Sequence, residues 1–330
     1  MPWNLIGHAW AVSLLCRHLK AEEVRHAYLI TGADGIGKRT LAWRFARALT
    51  CLSPTGDDVA CGECRVCRRV SAEGHPDVHV LARLEGKSEI GIDQVRELQR
   101  QLSLSPLEAR RRVALIVDFH EASDEASNAL LKTLEEPAGQ VALLMTALTA
   151  ESVLPTIASR CEIIALRPVA SDEIESGLRA AGAEAERARL LSGLASGRPG
   201  WALAALASPP TLQARQQALE ELRALLAGSR AERFAFAEKI YQDDDRLIAA
   251  LEAWLTLWRD VLVVACGADA RITNLDRRSL VDSLAAEVGP GQARLAALAV
   301  ERTLSGLARH ANPRLAFETL LLDLPRVRPG

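Results

Sequence analysis

One loop constrains this 330-residue chain more than any other stretch: Gly32-Ala33-Asp34-Gly35-Ile36-Gly37-Lys38. The apolar run Ala27–Thr31 precedes it and reads as a buried strand. Leu41, Phe45 and Leu49 follow at helical spacing on residues 39–50. Strand, glycine loop and helix together form the setting of a phosphate-binding P-loop. Gly32, Gly35 and Gly37 let backbone N–H groups turn toward phosphate oxygens. The helix N-terminus adds partial positive charge, and Lys38 reaches the outer phosphates. The spacing G-x-x-x-x-G-K is correct, but Arg39 stands where a Ser or Thr would hold Mg²⁺. Thr40 comes one place late, about 100° further round the helix. The expectation is a P-loop α/β fold with a defective metal site.

A second signal lies just beyond. Cys51, Cys61, Cys64 and Cys67 have the spacing C-x9-C-x2-C-x2-C. Four thiolates give a closed tetrahedral Zn²⁺ shell with no position open to substrate, so the site reads as structural. The competing reading is four free or redox-active thiols. Composition bears on that choice. The N-terminus lacks a basic-then-apolar pattern, and no apolar run reaches the ~18–20 residues of a membrane span. The nearest candidate, residues 247–265, carries Glu252, Arg259 and Asp260. A cytoplasmic protein with no membrane partner is expected, and there a disulfide framework is disfavoured. Cys16, Cys161 and Cys266 read as buried small apolar residues. A net charge of −2 argues against nucleic-acid binding through bulk positive charge and leaves a local basic face open.

The rest of the chain alternates strands and helices as far as residue 166. Residues 1–25 read as helical, with Trp10, Leu14, Leu15 and Leu19 on one face. Leu5-Ile6-Gly7 either lies against a nucleotide base or simply packs. His75-Pro76-Asp77 leads into a strand, and His75 and His79 are assigned surface or packing roles because the cysteines already fill the metal shell. Ile92, Val95, Leu98 and Leu102 form a buried helical stripe. Strand 113–118 ends in Asp118, which either helps hold Mg²⁺ or caps the next turn. Phe119 occupies the place where a ring-forming hydrolase has a water-polarising Glu, and Glu121 is three residues along. Ser123 can cap a helix over 123–136. Strand 141–146 ends in Thr146, within reach of a terminal phosphate. Arg160, at a turn before strand 162–166, reads by itself as solvated. Beyond Pro168 the pattern is helical, with Ser171 as a capped start. Ser208-Pro209-Pro210 is the best linker candidate. Leu247, Leu251, Trp254, Leu255, Trp258, Val261 and Leu262 form a broad apolar stripe.

Several of these segments, in this order, resemble the delta-prime branch of the bacterial DNA polymerase III clamp-loader family, an AAA+-type group. The resemblance rests on His26-Ala27-Tyr28-Leu29, the four cysteines, His75-Pro76-Asp77, Ile92-Asp93-Gln94-Val95-Arg96, residues 128–137 (NALLKTLEEP) and Ser159-Arg160-Cys161. It spans about residues 3–166, and the helical remainder matches only in character. The resemblance implies three domains: an AAA+-type P-loop domain over 1–167 with a zinc module at 51–67, a small helical lid over 168–208, and an all-α collar over 209–330. It also implies that Arg160 is an arginine finger, acting in trans on the ATP site of a neighbouring gamma/tau subunit. Implied partners are gamma/tau, delta and, through the complex, the sliding clamp and primed DNA. Arg39, Phe119 and Gly200, the last where ATPase relatives carry an arginine, depart from the ATPase pattern. The expectation is a silent subunit of a complex with DNA-directed DNA polymerase activity. Gly32, Gly35, Gly37, Lys38, Thr40, Asp118 and Thr146 would form a degenerate site whose binding of ATP or ADP is weak or absent. The rival readings are an active gamma/tau-like ATPase, a nucleotide-regulated binding module outside replication, and a zinc-dependent nucleic-acid binder.

Overall fold

A computed structural model of the chain describes residues 3, 5–54, 60–71, 74–137, 139–268, 272–309 and 311–327. The linker at 55–59 inside the proposed zinc module lies outside the described residues. The chain divides into two compact units: Met1–Val169 with Arg198–Gly200, and Ala170–Gly197 with Trp201–Gly330.

The first unit is built on a five-stranded parallel sheet. Its strands are β1 (Ala27–Thr31), β2 (Val78–Leu81), β3 (Arg112–Ile116), β4 (Val141–Ala147) and β5 (Glu162–Ala165), in the order β2-β3-β4-β1-β5. Leu29 lies opposite Met145 on one side and Ile163 on the other. The three inner strands are buried at every position. Continuous apolar runs, without alternation, are what a sheet covered on both faces requires. Side-chain alternation divides each strand between two cores. Tyr28, Ile30, Leu115 and Leu144 join α1 (Ala9–Lys20) and α2 (Lys38–Thr50), while Leu29, Ala114, Leu143 and Met145 join α4 (Ile92–Leu102) and α5 (Asp124–Glu135). Between α2 and β2 runs the short α3 (Arg65–Ser71). Ser123 caps α5 as expected, its Oγ accepting the Ala126 N–H. After β4, α6 (Pro155–Ala158) leads into β5.

The second unit is helical: α7 (Ser171–Ala180), α8 (Ala185–Leu194), most of α9 (Pro199–Ala207), α10 (Pro209–Ala227), α11 (Arg230–Ile240), α12 (Asp244–Ala265), α13 (Arg278–Leu307) and α14 (Pro313–Asp323). Helix α13 is two helices merged at a kink, where Gly289 takes φ +66° before Pro290. The apolar stripe of α12 is the centre of the core, with Leu255 and Leu262 at its margin. The Trp254 ring lies tilted 5.6 Å from that of Phe317, and its Nε1–H donates to the Ala218 carbonyl at 2.8 Å. Buried Arg233 donates to the carbonyls of Leu225, Leu226, Leu321, Leu324 and Pro325, tying the ends of α10 and α14 together. Among the described residues, no helix is long and apolar enough to cross a membrane.

Four local expectations are corrected. Trp10 is 49% exposed, because the buried face of α1 is Ala11, Val12, Leu15 and Cys16, nearly opposite it on a helical wheel. Ser171 is the first helical residue rather than the cap, and Asp172 and Glu173 supply the favourable first-turn charge. Ser208-Pro209-Pro210 is not an extended linker: the prolines open α10, where a missing N–H costs no hydrogen bond. Cys266 is exposed at the end of α12.

Candidate functional site

The end of β1 delivers the chain into the glycine loop. Gly32, Gly35 and Gly37 have φ of +146°, +73° and +112°, a region that side chains disfavour. Gly37 caps α2, and Lys38 is its first residue. The Lys38 side chain is only 6% exposed, and its Nζ donates to the Gly32 carbonyl at 2.7 Å and to Asp34 Oδ1 at 2.8 Å. The loop is fastened elsewhere too. Ile36 is buried, and its carbonyl lies 2.9 Å from His8 Nε2. The Gly35 carbonyl accepts the Gly200 N–H at 2.7 Å, and a Cβ built on residue 200 would lie 2.7 Å from that same oxygen. The position expected to hold an arginine in ATPase relatives is here a backbone contact that only glycine makes without displacement. Gly7 has a packing role, since a Cβ there would overlap Val169.

Asp118 sits just past β3 in a left-handed conformation, φ +51°. Its N–H donates to Thr146 Oγ1 at 2.8 Å, and the Thr146 hydroxyl donates back to Asp118 Oδ1 at 3.3 Å. Thr146 is buried and directed at Asp118. Phe119 is fully buried, and Glu121 pairs with Arg83 at 2.9 Å. His120 lies within electrostatic reach of Asp118, Asp34 and Lys38, and burial holds its pKa below the usual histidine value. Arg39 and Thr40 are both exposed on α2. Arg160 follows α6, about one-third exposed. Its Nη2 donates to Glu135 Oε1 at 2.7 Å and its Nη1 to the Thr156 carbonyl at 2.8 Å.

The four cysteine sulfurs lie within 4.8 Å of one another. Cys51 and Cys61 sulfurs are 3.6 Å apart, and Cys61 and Cys67 sulfurs 3.9 Å. A tetrahedron with Zn–S bonds of ~2.3 Å has edges of about 3.8 Å, so the spacing suits such an ion. Backbone N–H groups of Cys61, Cys64 and Cys67 point at the sulfurs of Cys51, Cys61 and Cys64. Burial pushes the Cys67 thiol up to about 12. At Cys64 burial acts the same way, but the N–H groups of Cys67 and Leu52 and the neighbouring thiols outweigh it and bring the pKa to about 6. The cluster forms because the end of α2 brings Cys51 against the start of α3.

His75 and His79 stay out of this cluster. His75 is buried and its Nδ1 accepts the Asp77 N–H, while His79 Nε2 lies 3.2 Å from Arg112 Nη1. The residue missed from sequence is Asp77 itself. Its wholly buried carboxylate accepts the N–H groups of Leu107, Glu108 and Ala109 at 2.8, 2.8 and 2.9 Å. Nothing in local spacing points to partners 30 residues away. The only cue was an acid set between a proline and a strand.

Two family models match the chain: "DNA polymerase III, delta subunit" over residues 7–170, and "DNA polymerase III, delta subunit, C terminal" over residues 209–326. The DNA polymerase III subunit delta' of Escherichia coli is 33% identical over 268 residues, 81% of this chain and 78% of that protein. The delta' of Pseudomonas aeruginosa is 43% identical over 41% of each chain. The tau/gamma subunit of Haemophilus influenzae is 31% identical over 53% of this chain and 25% of that protein. Similarity to delta' runs through the sheet unit into the helical unit, and the chain belongs to the DNA polymerase III delta' subunit family.

Proposed function

We propose that the chain is a catalytically silent clamp-loader subunit that helps load the sliding clamp onto primed DNA beside gamma/tau and delta. Its relationship to delta' over 81% of its length carries this reading. The site chemistry agrees with it. Arg39 replaces the Mg²⁺ ligand, Phe119 fills the place of the water-polarising acid, and Gly200 leaves no room for an arginine. Each departure removes a separate requirement for hydrolysis.

The chain's own contribution to chemistry is Arg160, donated in trans to a gamma/tau ATP site. A guanidinium supplied to the transferring phosphoryl group is worth ~10³–10⁵ in rate. Glu135 and Thr156 take two of its five N–H donors, holding the planar group at the surface. Cys51, Cys61, Cys64 and Cys67 would hold one structural Zn²⁺, whose role is to close the chain between α2 and α3. Residues 168–208 act as a helical lid and 209–330 as the collar that joins subunits.

The test is ATP hydrolysis by the purified chain, alone and mixed with gamma/tau and delta from the same organism. The chain alone should not turn over, and the mixture should. Arg160→Ala should leave assembly intact and lower turnover in the mixture at least 10-fold. Unchanged turnover at full assembly would remove the finger assignment.

A further inference from the structure

We infer that the phosphate loop carries its own resident anion: the Asp34 carboxylate occupies the Lys38 ammonium, and Asp34 decides whether the loop accepts a nucleoside di- or triphosphate. The inference rests on reading Gly32–Lys38 as a phosphate-binding loop.

The departures at Arg39 and Phe119 bear on metal binding and on activating water. They leave in place the glycines, the α2 N-terminus and Lys38, which are the groups that grip phosphate. Affinity is limited instead at Lys38. Its buried ammonium already makes two hydrogen bonds, one to Gly32 O and one to Asp34 Oδ1. Asp34 is on the same loop, so it competes as a tethered group at an effective concentration of the order of mM or more. A nucleotide at micromolar concentration must displace it. The Asp34 side chain is 58% exposed, so the carboxylate stands toward solvent on the loop. A phosphate approaching Lys38 meets that negative charge as well as an occupied lysine. The loop is also restrained: the Gly35 carbonyl, one residue along, is held by the Gly200 N–H, and the Ile36 carbonyl by His8. Moving Asp34 aside by shifting the backbone would break those bonds.

The experiment is titration of a fluorescent ADP into the purified full chain and three variants: Asp34→Ala, Asp34→Asn and Asp34→Ala/Lys38→Ala. Both single variants should bind at least tenfold more tightly than the wild type, and the double variant should lose that gain. Asp34→Asn keeps the side-chain size and guards against a folding artefact in Asp34→Ala. Thermal melting of each variant reports on that directly. Single variants that bind no better than wild type would overturn the inference. So would a gain that survives Lys38→Ala. Co-elution of wild-type chain with gamma/tau and delta is measured separately: its failure would count against the clamp-loader reading and leave the titration to decide this one.

Discussion

Asp77→Ala tests how the first unit is held together. The carboxylate is wholly buried, accepts three backbone N–H groups, and lies 3.7 Å from Arg112 Nη2, itself buried. Removing it strands a guanidinium whose remaining partners are the Ser105 and Gln101 carbonyls and His79. It also releases the 107–109 turn. Breaking one partner of a buried charged set costs ~3–5 kcal/mol. Three bonds at ~1.5–3 kcal/mol each would sum higher, but the turn carries exposed Leu107 and can move so that its N–H groups meet water. We therefore expect a loss of about 4 kcal/mol. At ~2–4 °C per kcal/mol for a domain of this size, the melting transition of the first unit falls by roughly 8–16 °C in calorimetry. A fall under 2 °C would refute the reasoning. The pH dependence has a definite sign. Burial alone would raise the Asp77 pKa, but the three N–H groups and Arg112 outweigh it and hold the carboxyl below its ordinary 3.8. A depressed folded-state pKa contributes stability that is present above the ordinary value and lost as pH falls through the folded one. Asp77→Asn should therefore flatten the acid side of the stability curve below about pH 4.

Purified chain should contain one equivalent of tightly bound zinc, and a strong chelator should lower the first unit's melting temperature, because structural zinc binding contributes directly to folding. Metal analysis that finds none would remove the site. Gly200→Ala should destabilise the first unit by ~1–3 kcal/mol, since its Cβ meets the Gly35 carbonyl at 2.7 Å; an unshifted urea midpoint would mean that this contact yields freely. Arg233→Met should cost about 3 kcal/mol in the helical unit, because the Leu321, Leu324 and Pro325 carbonyls lose their guanidinium donor, while those of Leu225 and Leu226 keep the Gly228 and Val327 N–H groups. A loss under 1 kcal/mol in chemical denaturation would show that water replaces the guanidinium there.

What was legible in the sequence was local and periodic. The runs 27–31, 112–116 and 141–147 are apolar at nearly every position, so their burial could be read without partners. The same holds for α12, whose stripe repeats at helical spacing over about four turns. Cysteine spacing announced the thiol cluster because the ligand geometry of a tetrahedral ion is itself local. The polar anchors were not legible. Asp77 reaches residues 107–109, Arg233 reaches residues 321–325, and Arg215 reaches Asn274 and Asp276. Each is a single charged residue whose partner is chosen by packing of distant elements, which leaves no trace in spacing. The local misreadings have a related cause. Trp10 and the Ser208-Pro209-Pro210 break were read from residue type, whereas the inward face of α1 and the helical start of α10 were decided by what the neighbouring turns bury.

The glycine loop keeps its shape through contacts of its own. In a working P-loop the Lys–phosphate contact is the reason for the lysine. Here Lys38 closes the loop on itself through Gly32 and Asp34, Ile36 is buried in the first core, and the Gly35 and Ile36 carbonyls anchor Gly200 and His8. These bonds join the N-terminal segment, the loop and residue 200 without any phosphate. Losing the ammonium would take its donor from the half-buried Gly32 carbonyl and from the Asp34 carboxylate. The glycine loop thus acts as a fastener in the first unit whether or not it ever holds a nucleotide. None of these fastening bonds passes through the side chain of Arg39 or Phe119, so the mechanical role does not depend on what those two residues do to chemistry.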